Sequence, residues 1–391
     1  MIDLPPLIEA LSPQLVAWRR ELHAHPEASF AEFHTSDFLA EKLTAVGIKV
    51  TRNIGGTGLV GTITTGAGPV IAIRADMDAL VMEEANEFAH RSATPGLMHG
   101  CGHDGHMMMA LGAALYLAQT QRFCGTVHFV FQPAEEDGGG ARTMIEDGLF
   151  ERFPVDAIYG AHNEPLLPVG EMAVMAGAIS AAQDDLCIRI EGKGGHAARP
   201  HLGVDPILVG AEIVTAAQSI VARQINAQRP TVLSLTRFQG GSTNNVIPDR
   251  VEIAGTLRCL DPKIREQAHA ALSRLVAGIA SAHGATAELV ITKGYPPVIN
   301  APGPTDRAQR AAIALLGKEA VHTEGVPSMG AEDFAYYGEH VPACFVRIGQ
   351  SDDAHTASLH NPHYDFNDAA LPVGMAYWSR LVERELGLLG E

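Results

Sequence analysis

The sequence predicts an α/β chain of two domains, a large body with a mixed sheet flanked by helices and a small ferredoxin-like unit inserted into it. Three observations carry this. The chain has 391 residues, well beyond the ~100–200 typical of one domain. Short β-branched runs alternate with apolar segments of helical spacing through the first half and return near the end. Between them lies a stretch with a rhythm of its own.

In the first part, residues 8–23 and 35–46 repeat apolar side chains at helical spacing, the second stopping at Gly47. Residues 49–53, 59–64 and 70–74 are short, β-branched and bounded by turns, so they read as strands. A helix at 106–121, a strand at 126–131, a helix at 141–147 and a strand at 157–161 continue the alternation. From Asp185 the order becomes strand 185–190, helix 205–223, strands 231–238 and 250–258, helix 262–283 and strand 286–292. That β-α-β-β-α-β order is the split βαβ pattern, which closes a small sheet under two helices. A helix at 307–316, a strand at 344–348 and a helix at 371–388 resume the larger body. The joints fall near 176–182 and 294–297, which gives a discontinuous domain of 1–180 and 294–391 and an inserted domain of 181–293.

Composition narrows the function. With 46% hydrophobic and 19% charged residues, the chain has ample material for packed cores. Its formal net charge of −17 repels phosphate backbones and anionic lipid, which argues against a nucleic-acid partner. The first twenty residues hold no apolar core preceded by positive charge, so no secretory signal is expected. The longest apolar run, 107–118, falls short of the ~20 residues that span a bilayer, and a cytoplasmic protein without a membrane partner is the expectation. Five scattered cysteines do not form a disulfide framework. Cys124, Cys187, Cys259 and Cys344 read as small core residues, whereas Cys101 lies between glycines beside two histidines.

The run Gly100-Cys101-Gly102-His103-Asp104-Gly105-His106 gathers thiolate and imidazole donors in a glycine-rich turn before a helix. Those donors suit a transition metal, although a capping turn with a buried thiol is the plainer reading of the run alone. Gln132-Pro133-Ala134-Glu135-Glu136 directly follows an apolar strand, where open α/β sheets bind ligands. Adjacent carboxylates outside a helix project differently, so one can hold metal while its neighbour faces a water. A solvated acidic turn is the competing reading. His162 follows the predicted strand 157–161, and His360 lies in a loop before the last helix. Singly, each histidine reads as structural; together, thiol, imidazoles and carboxylate fall at the strand-end side of one domain.

These residues resemble the amidohydrolase branch of the metallopeptidase M20 family, which includes hippurate hydrolases and plant auxin-conjugate hydrolases. The resemblance runs through Cys101-Gly-His103-Asp104, Pro133-Ala-Glu135-Glu136, His162 and His360. It covers nearly the whole chain, including Leu22-His23-Ala-His25-Pro26-Glu27, Arg74-Ala-Asp76-Met-Asp78 and Gly194-Gly195-His196-Ala197-Ala-Arg199-Pro200. Asn244-Asn245-Val-Ile-Pro248 and Gly330-Ala-Glu332-Asp333-Phe334 extend it further.

The resemblance implies that Cys101, His103, Glu136, His162 and His360 hold two divalent metal ions, with Cys101 a candidate bridge. Manganese, zinc, cobalt and nickel all suit that donor set. Glu135 would be the general base, taking a proton from the attacking water and giving it to the leaving nitrogen. Asp78 and Asp104 would orient imidazoles from behind. The inserted domain would serve as lid and dimerisation domain of a homodimer, with His196 at the oxyanion and Asn245 binding substrate. Arg258 is the candidate for the substrate carboxylate, which a guanidinium can grip in two places. Two departures stand out: Gly100, where many relatives carry Ala, is expected only to loosen the turn, and His363, where relatives carry a small residue, is expected to be exposed.

The implied activity is hydrolysis of N-acyl amino acids, hippurate-like compounds among them, to a carboxylic acid and an amino acid. A dipeptidase or N-acetyl-diaminopimelate deacetylase would use the same fold, and a binding protein without chemistry would leave Glu135 without a task. Ser-His-Asp catalysis is unsupported, because no Gly-x-Ser-x-Gly elbow occurs.

Overall fold

The structure, a computed structural model, describes residues 4–387. Two compact units divide it: Met1–Gly177 with Ile299–Val326 and Asp333–Glu391, and Ala178–Val298 with Pro327–Glu332. In the first unit α1 (Pro6–Ala24), α2 (Phe33–Ala45), β1 (Lys49–Ile54), β2 (Gly58–Thr64) and β3 (Val70–Asp76) precede α3 (His103–Thr120). β4 (Thr126–Gln132), α4 (Gly140–Glu146), α5 (Leu149–Arg152), β5 (Ala157–Pro168) and β6 (Met172–Ala173) follow. After the joint strand β7 (Gly177–Ser180), the second unit contains β8 (Ala182–Glu191), β9 (Gly195–His196), α6 (Pro206–Ser219), β10 (Thr231–Gly240), β11 (Val246–Ile247), β12 (Arg250–Cys259), α7 (Pro262–Ala282) and β13 (Thr286–Lys293). β14 (Val298–Asn300) leads back to α8 (Pro302–Leu316), β15 (Val321–His322), α9 (Ala335–Gly338), β16 (Ala343–Ser351) and α10 (Leu371–Glu385). The helix expected at 371–388 thus ends at Glu385, and Leu388 lies outside the described residues.

The first unit is built on a mixed sheet of order β1-β2-β4-β3-β5-β16-β6-β15. Its centre, β4-β3-β5-β16, is parallel, while β1 and β2 add antiparallel strands at one side. Because helices cover the central strands, β3 and β4 are buried along nearly their whole length rather than at alternate residues. α3 is buried from His103 to Leu117 and packs between the sheet and helices α1 and α10. A helix apolar all round belongs in such a place.

Register brings the chemistry to one level. Asp76 pairs with Gln132 across β3 and β4, and Arg74 pairs with Gly160 across β3 and β5. That pairing ends at Gly160, and His162 lies two residues beyond it in β5 as Asp76 lies two beyond Arg74 in β3. The strand expected to end at Ala161 continues to Pro168, so His162 lies within β5 rather than after it. β16 explains the extension, since its pairing with β5 passes through Arg347 and His162 beyond the end of β3.

The second unit is an antiparallel sheet of order β10-β12-β8-β13. In β8, Leu186, Ile188 and Ile190 alternate inward against Val209, Ile213 and Ala217 of α6 and Ala268, Leu272 and Val276 of α7. The segment Pro206–Gln224 is long and apolar enough to cross a membrane by length and composition alone, yet this apolar stripe is what fills the unit's core. β9 and β11 form a separate two-stranded ribbon. All five cysteines are free, and Cys124 and Cys187 are only partly buried, unlike the core residues expected.

Gly105, in the first turn of α3, shows how tightly this body is closed. A Cβ built there would come within 2.2 Å of Phe366 Cε2. Gly105→Ala is therefore expected to lower stability by about 1–3 kcal/mol, read as an earlier midpoint in denaturant unfolding of the metal-free protein.

Candidate metal centre

The turn before α3 needs glycine at position 102. Gly102 has φ 93°, and a Cβ there would lie 2.6 Å from both Asn163 Oδ1 and Tyr364 Oη. That close approach sets Cys101 beside β5, with its Sγ 3.3 Å from His162 Nε2. Gly100 is also closely packed, since an added Cβ would sit 2.9 Å from Met82 Sδ. The Gly100 carbonyl accepts the His360 backbone N–H at 2.9 Å, which ties the His360 loop to the cysteine turn. His360 itself is left-handed, with φ 61°, an uncommon state for a non-glycine residue.

The ring nitrogens are sorted by carbonyl oxygens, which can only accept. His103 Nδ1–H donates to the Asp78 carbonyl at 2.8 Å, and His162 Nδ1–H donates to the Asn163 carbonyl at 2.8 Å. In the neutral rings both Nε2 atoms then carry lone pairs, the form a metal ligand requires. His103 Nε2 is 3.8 Å from Glu136 Oε1, and both atoms are buried without a hydrogen-bond partner. His360 Nε2 lies 3.5 Å from the same Glu136 oxygen.

Donor atoms therefore gather in overlapping triads, each spanning no more than 4.8 Å: Cys101, His103 and His162; Cys101, Glu136 and His360; and His103, Glu135 and Glu136. Cys101 belongs to two of them, as a bridging ligand would. Thiolate, imidazole and carboxylate around two orphaned polar atoms fit divalent transition ions. Burial and the nearby Glu136 push the Cys101 thiol up, and burial together with His106 holds His162 down. Burial opposes the His103 imidazolium, but Asp76 and Asp78 raise it well above the ordinary value. Binding of a cation would displace the protons from Cys101 and His103.

Sequence reasoning missed what lies beneath. Asp76 Oδ1 accepts His106 Nδ1–H at 2.6 Å, and Asp76 Oδ2 takes a bond from Arg74 at 2.8 Å. Arg74 also reaches Asp333 at 2.8 Å, and the His106 ring stands 4.7 Å from that of His162. The alternation of Arg74 and Asp76 in β3 was the available signal, because period two puts them on one face. Asp78 does more than orient an imidazole. Its carboxylate accepts the backbone N–H groups of Glu135 and Glu136, each at 3.0 Å. Asp104 points away from the donors, to His23 Nδ1 at 2.9 Å and Arg19 at 3.2 Å, so the imidazole it orients is that of His23.

In the second unit, His196 pairs with Val246 across the β9–β11 ribbon, and the Ala197 N–H bonds to the Asn245 carbonyl at 3.1 Å. His196 and Asn245 thus sit together, both exposed. Arg258 does not join them: β12 begins at Arg250, next to Asp249, which bonds Gly194, and Arg258 is roughly 26 Å further along the strand. Arg258 is half-buried and donates to Thr256 at 3.1 Å. His363 is exposed, as expected.

Residues 72–384 match the family described as Peptidase family M20/M25/M40. N-acetylcysteine deacetylase of Bacillus subtilis is 39% identical over 95% of this chain and 97% of its own. IAA-amino acid hydrolase ILR1-like 5 of Arabidopsis thaliana is 36% identical over 95% of this chain and 86% of its own. Among solved structures, the Bacillus subtilis YXEP protein, a dinuclear metal-binding peptidase of the M20 family, superimposes with a TM-score of 0.85 at 36% identity. That superposition covers 97% of this chain and 100% of the other. The fold and the donor set define a metal-dependent amidohydrolase. The chain belongs to peptidase family M20.

The His23 pair has a measurable consequence. Burial lowers the His23 pKa, but the charge and hydrogen bond of Asp104 outweigh it and lift it from 6.5 to about 9. A raised folded-state value stabilises fully below pH 6.5 and is lost as pH rises through about 9. Denaturant unfolding of the metal-free protein should lose stability on the order of 3 kcal/mol across that window, and His23→Gln should flatten the loss.

Proposed function

We propose that this chain hydrolyses the amide bond of N-acyl amino acids, using two divalent ions held by Cys101, His103, Glu136, His162 and His360. The observation that carries the reading is the convergence of these five donors around His103 Nε2 and Glu136 Oε1, two buried atoms without hydrogen-bond partners. When bound, such ions polarise an amide carbonyl and bring the ionisation of water toward neutral pH.

The chain's own residues supply the rest. Glu136 faces His103 and His360, while the Glu135 carboxylate accepts the Asp333 N–H at 3.3 Å and keeps its own direction. Glu135 takes the proton of the attacking water and passes it to the departing nitrogen. Buried at 7% exposure, it does this in a site that shields the transfer from bulk water. In the second unit we assign His196 to the developing oxyanion and Asn245 to substrate binding, with that unit forming a homodimer; the distance of Arg258 from both along β12 removes it from the substrate carboxylate. The relatives named for N-acetylcysteine and IAA-amino acids both handle an acyl group on an amino acid, which supports this substrate class over larger peptides.

Glu135→Gln is expected to keep its metal content while kcat falls by about 100-fold or more. Metal analysis beside turnover of N-benzoyl, N-acetyl and indole-acetyl amino acids measures both, and normal turnover by this variant would remove Glu135 from its role. Chelation should abolish activity, and restoring manganese, zinc, cobalt or nickel in turn should recover it and identify the working ion.

A further inference from the structure

The residue just before the two glutamates is held in an unfavourable conformation. Ala134 has φ 53° and is fully buried, although it is not glycine. A left-handed backbone at such a position persists only where its surroundings over-determine it. Three consecutive N–H groups show what does so: Ala134 donates to Glu32 Oε1 at 2.9 Å, Glu135 to Asp78 Oδ1 at 3.0 Å and Glu136 to Asp78 Oδ2 at 3.0 Å. On the far side, the Ala134 carbonyl accepts the Gly140 N–H at 2.9 Å.

Glu32 immediately precedes α2, yet its side chain does not cap that helix. Its carboxylate is fully buried and takes bonds from Phe30 N–H at 3.0 Å and from the Thr57 hydroxyl. Among the described residues no lysine or arginine forms an ion pair with it. A buried carboxylate held only by such donors is costly to keep for stability alone.

We propose that Glu32 is a positioning residue: with Asp78 it clamps the left-handed turn at Ala134, so that Glu135 and Glu136 leave the backbone in different directions. This rests on the reading of Glu135 as the base. Without the clamp Ala134 relaxes toward right-handed φ, and the Glu135 carboxylate moves while the five donors keep most of their attachments. The loss should therefore fall on kcat rather than on metal content or KM.

The test compares Glu32→Ala, Glu32→Gln, Glu32→Ala/Ala134→Gly and Glu135→Gln, each with metal analysis, thermal unfolding and steady-state kinetics on an N-acyl amino acid. Metal-loaded Glu32→Ala should lose about tenfold to 100-fold in kcat with little change in KM. Glu32→Gln, whose amide oxygen can accept the same two N–H groups, should recover most of it. Glycine at 134 adopts positive φ without strain, so the double variant should recover at least about threefold over Glu32→Ala. Wild-type kcat in Glu32→Ala, or a loss that follows the melting temperature and responds to neither rescue, overturns the clamp. An active Glu135→Gln instead shows that the base assignment has failed, whatever Glu32 does. Should Glu32→Ala fail to fold, Thr57→Val removes only the hydroxyl bond to Glu32. It should lower kcat by about threefold to tenfold, and an unchanged kcat overturns the proposal equally.

Discussion

The centre depends on one carboxyl-bearing residue, Asp78. Its main-chain oxygen fixes the His103 ring through Nδ1, and its two carboxylate oxygens each hold one N–H of the Glu135–Glu136 turn. One residue thereby sets the spacing between an imidazole donor from α3 and a carboxylate donor from the turn after β4. The Ser29 hydroxyl steadies the same carboxylate at 2.7 Å. Four hydrogen bonds on a single buried side chain and its carbonyl leave little freedom, which is what a preorganised site requires.

Around that pivot the unit buries charge in shared ion-pair groups. Arg19 is shared by Asp104, Asp365 and Asp368, all through bonds of 2.9–3.2 Å. Arg74 is shared by Asp76, Gln132 and Asp333. Each group joins segments far apart in sequence: α1 to the start of α3 and the loop after β16 in the first, β3 to β4 and the start of α9 in the second. Buried pairs of this kind add little net stability, but breaking one strands its partner. Their effect is to give the donors one arrangement rather than several.

The second unit is organised differently. Its core is an alternating antiparallel sheet against two helices, and a buried charge cluster in it joins Asp184 to Arg265 and His269. The polar residues of interest lie outside that core, on the short β9–β11 ribbon where His196 and Asn245 are exposed side by side. Exposed placement on a ribbon leaves them available to a ligand, in contrast with the buried Cys101 and His103 of the first unit.

Much of this was legible before any coordinates. Apolar periodicity located the principal helices and strands, because burial on one face or two imprints period 3.6 or 2 on the chain. Local chemistry marked the cysteine turn and the paired glutamates. Glu32 and Arg19 escaped notice, and the partners of His23, Asp76, Asp104 and His106 were not foreseen, since a buried polar side chain has no periodic signature and its meaning lies in a partner. The end of β5 was misjudged for a similar reason: extension past His162 is decided by pairing with β16, from nearly two hundred residues away. The sequence by itself determined which groups could bind a cation and where strands would deliver them. Only the tertiary structure decided which ring nitrogen faces inward, which carboxylate grips a backbone and which strained turn separates Glu135 from Glu136, because hydrogen-bond direction depends on through-space neighbours rather than on residue order.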